Sequence, residues 1–332
     1  MRVVDTVRQI TPVTGYLKRE ATSVPERDDL ATDTVEGEVP PSPAPEAPAA
    51  SPVGSAAVPA VFVVLWSSAF IAAVIGTDAA PPLLLTFSRF ALAGLLLMAV
   101  ALVSKSPWPK GRLLLHVVVT GLLMQAVQFG AFYTAISEGL PGGLVALIQG
   151  FNSVLIALMA GFLLGEQITR RQWFGFGVGG AGVALAVAGA LDFSVTAIVL
   201  SFVGLLGLSA GTAYQKRFAQ GADVRSSTAV HFLASAPVML LMTLILEDPE
   251  VTDWGAFGGS LAWIVLINSV GTFLLLNFML KKQDASRVGT LFFLTPAVTA
   301  LLSWLVIDET LSVSAIAGLV LGGVGVLLAS RK

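Results

Sequence analysis

Arg89 stands inside an apolar run, PLLLTFSRFALAGLLLMAVAL, and its chemistry most needs explaining. A cation at the centre of a membrane helix costs about 2.5 to 3.5 kcal/mol on insertion scales, so it must find a partner or a wet cavity. No Asp or Glu lies deep in any apolar segment. Its partners are therefore helix-end carbonyls, an outer-end carboxylate such as Asp78 or Glu309, or an anionic group of a bound solute. The first two make Arg89 a tie between helices; the third makes it a recognition group.

Other polar residues sit in similar settings. His231-Phe232 opens one apolar run as Arg89-Phe90 opens another, at the related place in the other half of the chain. A neutral imidazole there can line a site, carry a proton near physiological pH, or serve only as a hydrogen-bonded structural group. Trp66 lies mid-segment beside Ser67 and Ser68, away from the interfaces that Trp173, Trp263 and Trp304 suit. Its N–H needs an acceptor. The adjacent hydroxyls favour a cavity wall over packing on a neighbouring helix.

Pro296, midway along its segment, frees the carbonyl of Phe292 and bends the helix. Gln149, Asn152 and Ser153 lie at equivalent depth in another segment, so the two helices are expected to face each other across a cavity. Gln125, Gln128, Asn268, Thr272 and Asn277 are further candidates for its lining, some of them as interhelical hydrogen bonds. The candidate substrate-binding set is Arg89, Trp66, Ser67, Gln125, Gln128, Gln149, Asn152, His231, Asn268, Thr272 and Pro296. Glu166 and Glu309 each end one segment and precede the next, with Thr169 and Ser312 three residues on as N-caps. The free N–H groups of a helix start favour an anion there, so both are read as structural corners rather than proton carriers.

The elements that position these residues follow from composition. The chain has 332 residues, 55% hydrophobic and 12% charged, against about 25% charged in a soluble domain; mean hydropathy is +0.83. It has no Cys, 2 His and a net charge of -2, which leaves no basis for disulfides, thiolate metal sites or a basic nucleic-acid face. No metal or cofactor is expected; the expected partners are the bilayer and a small-molecule substrate. At ~20 apolar residues per crossing, the chain from Ala56 holds ten spans, near 56–76, 82–102, 113–135, 142–164, 171–190, 195–215, 228–246, 260–280, 288–307 and 313–330. Residues 1–55 carry the run PPSPAPEAPAASP and too little apolar surface to offset ordering, so they read as a disordered tail. The tail's opening lacks the apolar h-region of a signal peptide.

Positive charge sets the orientation. With the tail inside, thirteen Lys and Arg fall in the cytoplasmic loops and C-terminus, from Lys105 to Lys332, and none in the external loops. The external loops carry Asp78, Glu138, Asp192, Glu247, Asp248, Glu250, Asp253, Asp308 and Glu309 instead. Both termini are then cytoplasmic.

The sequence also repeats itself. Laid over the later part of the chain, Gly139–Ala186 meets Lys282–Ala329 without a gap, with Glu166 on Glu309, Gly175 on Gly318 and Gly179 on Gly322. Five spans per half is an odd number, so the second half enters the membrane in the opposite sense, with a site between the halves near the midplane. The expected fold is all-α and integral to the membrane: ten helices as two inverted five-helix repeats, 56–190 and 195–332. The glycines Gly175, Gly179, Gly318 and Gly322 form small-xxx-small faces suited to packing either within a monomer or between monomers, which leaves a homodimer open.

These features resemble the EamA-type transporters of the drug/metabolite transporter superfamily. The resemblance rests on LWSSAF from Leu65, SRF from Ser88, LLGEQIT from Leu163, TAYQKRF from Thr212 and TPAVTALLSWLVIDET from Thr295, in order over residues 56–332. Asn152-Ser153 stands where that family often has Pro, and IDE replaces GE in the ninth span. The resemblance implies a secondary transporter, an exporter of small polar metabolites such as amino acids, working by alternating access. The expected location is the cell membrane, a bacterial inner membrane, crossed many times. The alternatives are a non-transporting membrane interaction protein, for which the tail is the hint, and an intramembrane enzyme. An enzyme needs clustered acids, bases, nucleophiles or ligands, whereas the spans offer Arg89, His231 and, near an edge, His116.

Overall fold

In hydrocarbon every backbone N–H and C=O must be satisfied within the protein, so apolar spans fold as helices or as closed barrels. Here they are helices. The structure, a computed structural model, describes residues 52–164, 169–188, 194–272, 275–276, 278–279, 291–310 and 312–330; residues 1–51 of the expected tail, Glu166 and Asn277 lie outside these, and the last residues expected in the tail, 52–55, are instead the start of the first helix.

The helices are α1 (Pro52–Ala79), α2 (Pro82–Val103), α3 (Gly111–Ser137), α4 (Gly142–Gly150), α5 (Asn152–Leu164), α6 (Arg170–Ala188), α7 (Val195–Phe218), α8 (Val224–Leu246), α9 (Trp254–Gly271), α10 (Thr295–Ile307) and α11 (Val313–Ser330). Six of them, α1, α2, α3, α7, α8 and α9, are long and apolar enough to cross a membrane. Shorter apolar helices occupy the fourth, ninth and tenth expected spans. The eighth span starts earlier than hydropathy indicates, because Asp253 caps Trp254–Gly271 by accepting from Gly255 N at 2.8 Å and Ala256 N at 3.0 Å.

Two expected continuous spans are broken. The fourth stops at Gly150 and restarts at Asn152; the ninth, over its described residues, passes through a 3₁₀ turn, Phe292–Leu294, before α10. Pro296 therefore occupies the first turn of α10, where its missing N–H costs nothing, and does not kink a continuous helix. The restarts at Asn152 and Thr295 fall at equivalent positions of the sequence repeat, as do the starts of α6 and α11, so the sequence repeat is a structural repeat.

Helix pairing follows the same exchange of halves. α2 packs on α8 and α6 on α11, each pair made of equivalent helices, while α1 lies on α9 and α10 as α7 lies on α3 and α5. Phe90 and Phe232, which follow Arg89 and His231, meet edge-on at 5.4 Å between centroids. The glycine faces pack inside the monomer: a Cβ on Gly182 would run into Gly322 N, and one on Gly325 into Gly179 N. Thr169 and Ser312 start α6 and α11 as expected, accepting from Gln172 N and Ala315 N at 3.2 Å each.

Carboxylates of the connecting segments fasten helix starts. Glu247 accepts from Leu83 N at 2.9 Å and Leu84 N at 3.1 Å, and so caps α2, which follows Pro81 and has no cap of its own. Asp308 takes a left-handed conformation at the end of α10, and Glu309 beyond it accepts from Gly142 N at 3.2 Å. Glu309 thus caps α4, a helix distant in sequence. Burial raises the Glu247 pKa, against the two amide bonds that lower it.

Three outcomes test this fold. In the Cys-free chain, a Cys at the exposed positions Glu138 or Gly255 will react with an impermeant reagent from outside intact cells. A Cys at exposed Lys110 will react only after permeabilisation, and labelling of Lys110→Cys from outside overturns the orientation. Gly182→Ala and Gly325→Ala will each lose about 1 to 3 kcal/mol of stability, since backbone cannot retreat as a side chain can. Gly177→Ala, with open space around it, will not lose stability. Because the raised pKa favours a protonated Glu247 in the fold, its contribution is full at low pH and declines as pH rises through that pKa. Glu247→Gln will therefore flatten the melting-temperature profile there, and Glu247→Ala will cost about 1 kcal/mol as a lost cap.

Candidate functional site

Arg89 reaches the interior from the middle of α2 and is 6% exposed. Its Nη1 donates to the Tyr133 hydroxyl at 2.7 Å, and its guanidinium carbon lies 4.1 Å from the centre of the Phe129 ring. Neither contact is among the expected carbonyl or carboxylate partners. Among the described residues no carboxylate pairs with Arg89, and its Nε has no hydrogen-bond partner. A ring face and a phenol oxygen stabilise the cation while leaving its charge uncompensated.

Both aromatic residues come from α3, and spacing could have revealed them. Gln125, Phe129 and Tyr133 recur at every fourth position, and Gln128 and Phe132 flank them, so one helix face carries them all. Within α3 the chain widens over Leu122–Val127 into the π-helical pattern, and α9 does so over Trp263–Gly271. Gln125 and Asn268, equivalent positions of the repeat, sit in these two segments, and such widenings recur at functional sites.

Between the halves lies a cavity of about 480 Å³. Of the expected set it is lined by Arg89, Trp66, Gln125, Gln128, Gln149, Asn152 and Asn268, together with Ser153 and Thr295. A pocket of about 90 Å³ shares Trp66, Arg89, Gln128, Gln149 and Asn268 with it, and adds Thr272, Phe70, Phe132, Tyr133 and Ile136. The amides differ in what holds them. Gln128 Nε2 donates to Gln149 Oε1 at 3.4 Å, a weak bridge from α3 to α4. Asn152 Oδ1 accepts from Ser209 Oγ at 2.8 Å and ties α5 to α7. Asn268 is 9% exposed; its Nδ2 donates to Leu65 O, and its Oδ1 has no partner, as is also true of Gln125 Oε1.

Three expected site residues lie elsewhere. Ser67 is fully buried and donates to Thr295 O at 3.3 Å, so its hydroxyl joins α1 to the start of α10 instead of facing the cavity. Its neighbour Ser68 accepts from Trp263 Nε1 at 2.9 Å. The hydroxyl pair therefore says nothing of the Trp66 face, although Trp66 is a cavity wall, edge-on to Phe292 at 4.9 Å. His231 is 5% exposed and packs against Gly121, with Nε2 unpartnered; it does not line the cavity. Pro296 borders a separate apolar crevice of about 30 Å³ beside Gly150 and Phe151. Among the described residues no cluster of His, Asp or Glu could hold a metal ion.

Two consecutive segments, 56–188 and 195–331, match the EamA-like transporter family. YedA, an uncharacterized inner membrane transporter of Escherichia coli, is 26% identical over 75% of this chain and 81% of its own length. The transporter YvbV of Bacillus subtilis is 26% identical over 82% of this chain and 90% of its own. A probable amino-acid metabolite efflux pump of Salmonella typhimurium is 24% identical over 78% and 89%. A solved crystal structure, 21% identical, superposes with a TM-score of 0.58 over 83% of this chain and 96% of that one, and so shares the fold. An all-helical repeat around an internal polar cavity, matched twice along nearly all of its apolar length, is thereby a multi-pass membrane transporter: the chain belongs to the EamA-like transporter family.

Proposed function

We propose that the chain is a secondary transporter that exports small polar metabolites, amino acids or related solutes, across a bacterial inner membrane by alternating access, with both termini cytoplasmic. One observation carries this reading: the cavity of about 480 Å³ is walled by both repeats and lined with amides and a cation. Such a site between inverted halves is the arrangement in which rocking exposes one solute to either side. The helix breaks at Phe151 and at Phe292–Leu294 border it, and broken helices at membrane depth are tolerated only beside protein or water. Export and the solute class are supported by the names of two relatives, the probable amino-acid metabolite efflux pumps of Salmonella typhimurium and Escherichia coli.

A mixture of candidate solutes suffices for the test. Proteoliposomes loaded with amino acids and organic acids together will show counterflow of at least one component. In the Cys-free chain, Gln149→Cys modified by a small thiol reagent will plug the cavity and abolish that counterflow. Ser67→Cys, fully buried, will neither react nor lose it. Unchanged counterflow after complete modification of Gln149→Cys would place the pathway elsewhere.

A further inference from the structure

Arg89 has spent only part of its hydrogen-bonding capacity. Nη1 is occupied by the Tyr133 oxygen, and Nε is sealed inside the protein without a partner. Nη2 makes no hydrogen bond among the described residues and, unlike Nε, keeps its access to the pocket that Arg89 lines. Tyr133 uses its oxygen as acceptor toward Arg89, and no described residue takes its hydrogen. An N–H and an O–H, held side by side by that 2.7 Å bond, are thus left to donate into the same pocket. Two adjacent donors, one of them cationic, match the two oxygens of a carboxylate.

Charge points the same way. Among the described lining residues Arg89 is charged and no carboxylate opposes it. An uncompensated cation surrounded by apolar protein and lipid is costly. A bound monoanion cancels the charge, whereas a zwitterion or a neutral solute leaves it standing and a cation doubles it. Beyond the two donors the pocket is lined by Trp66, Phe70, Phe132 and Ile136, and also by the amides Gln128, Gln149 and Asn268 and by Thr272.

We infer that the solute is an organic monoanion, its carboxylate held by Arg89 Nη2 and the Tyr133 hydroxyl and its apolar or aromatic body packed beyond them. This rests on the reading of the cavity as the solute site, and it narrows the metabolite class from amino acids in general to acids with no compensating ammonium. The test is thermal unfolding of the purified full chain at pH 7 with three probes of one shape: 3-phenylpropionate, phenylalanine and 3-phenylpropionamide. The acid will protect at a concentration about tenfold lower than the zwitterion or the amide, the scale of a charged hydrogen bond. Tyr133→Phe will weaken protection by the acid about tenfold and leave the amide unchanged. Arg89→Gln will erase the preference for the acid. Equal protection by all three, a preference for phenylalanine, or no protection by the acid overturns the inference, and the ranking on the unaltered chain requires no variant to fold. Counterflow of phenylalanine without any preference for the acid would keep the transport reading and sink this one.

Discussion

The structure depends on one constraint: in hydrocarbon a polar group left without a protein partner costs several kcal/mol, of order a folded domain's spare stability. Helices satisfy it along their length, so the chain is free to depart from them only where something else takes over. It departs at matching places in the two halves. The breaks at Phe151 and at Phe292–Leu294, and the widened turns in α3 and α9, all lie along one internal cavity. Irregular backbone and cavity are therefore two views of one arrangement, since each is permitted by the other.

Arg89 applies the same constraint to a charge. Its cation is held by a ring face and a phenol oxygen, which stabilise without neutralising. A carboxylate in that place would have made a closed ion pair, with nothing left to offer a solute. Glu247 and Glu309 show the contrast. They lie in connecting segments, accept from the amides of helix starts, and are consumed in fastening α2 and α4. These two acids hold the scaffold at its edges, while Arg89 remains inside, incompletely partnered.

Close packing of the two halves rests on missing side chains. Around Gly182, Gly318 and Gly325 the backbones of α6 and α11 approach so nearly that any Cβ would meet backbone atoms. In lipid, where there is no hydrophobic drive between helices, such close approach supplies the dispersion that holds them together. The same glycines close the question of whether these faces join two helices of one chain or two chains: they are used within one.

Much of this was legible in the residues. Hydropathy alone marks the spans, because the bilayer sets their length, and the internal repeat marks their pairing into halves, because equivalent helices must begin with equivalent caps and breaks. The internal cation and the amide-bearing segments were legible too, since a polar residue in an apolar run has few other uses. What sequence could not decide was direction. Ser67 and Asn268 both look like lining, yet Ser67 turns to a carbonyl of α10 while Asn268 faces the cavity; His231 matches Arg89 in position, yet lies against Gly121. Tyr133 and Phe129 share a helix face with Gln125 in the sequence, but became the partners of Arg89 only when α2 and α3 were brought side by side. Composition and period depend on the solvent around each helix and are written locally. Which face of a helix meets which neighbour depends on the packing of all the others, and tertiary structure alone determines that.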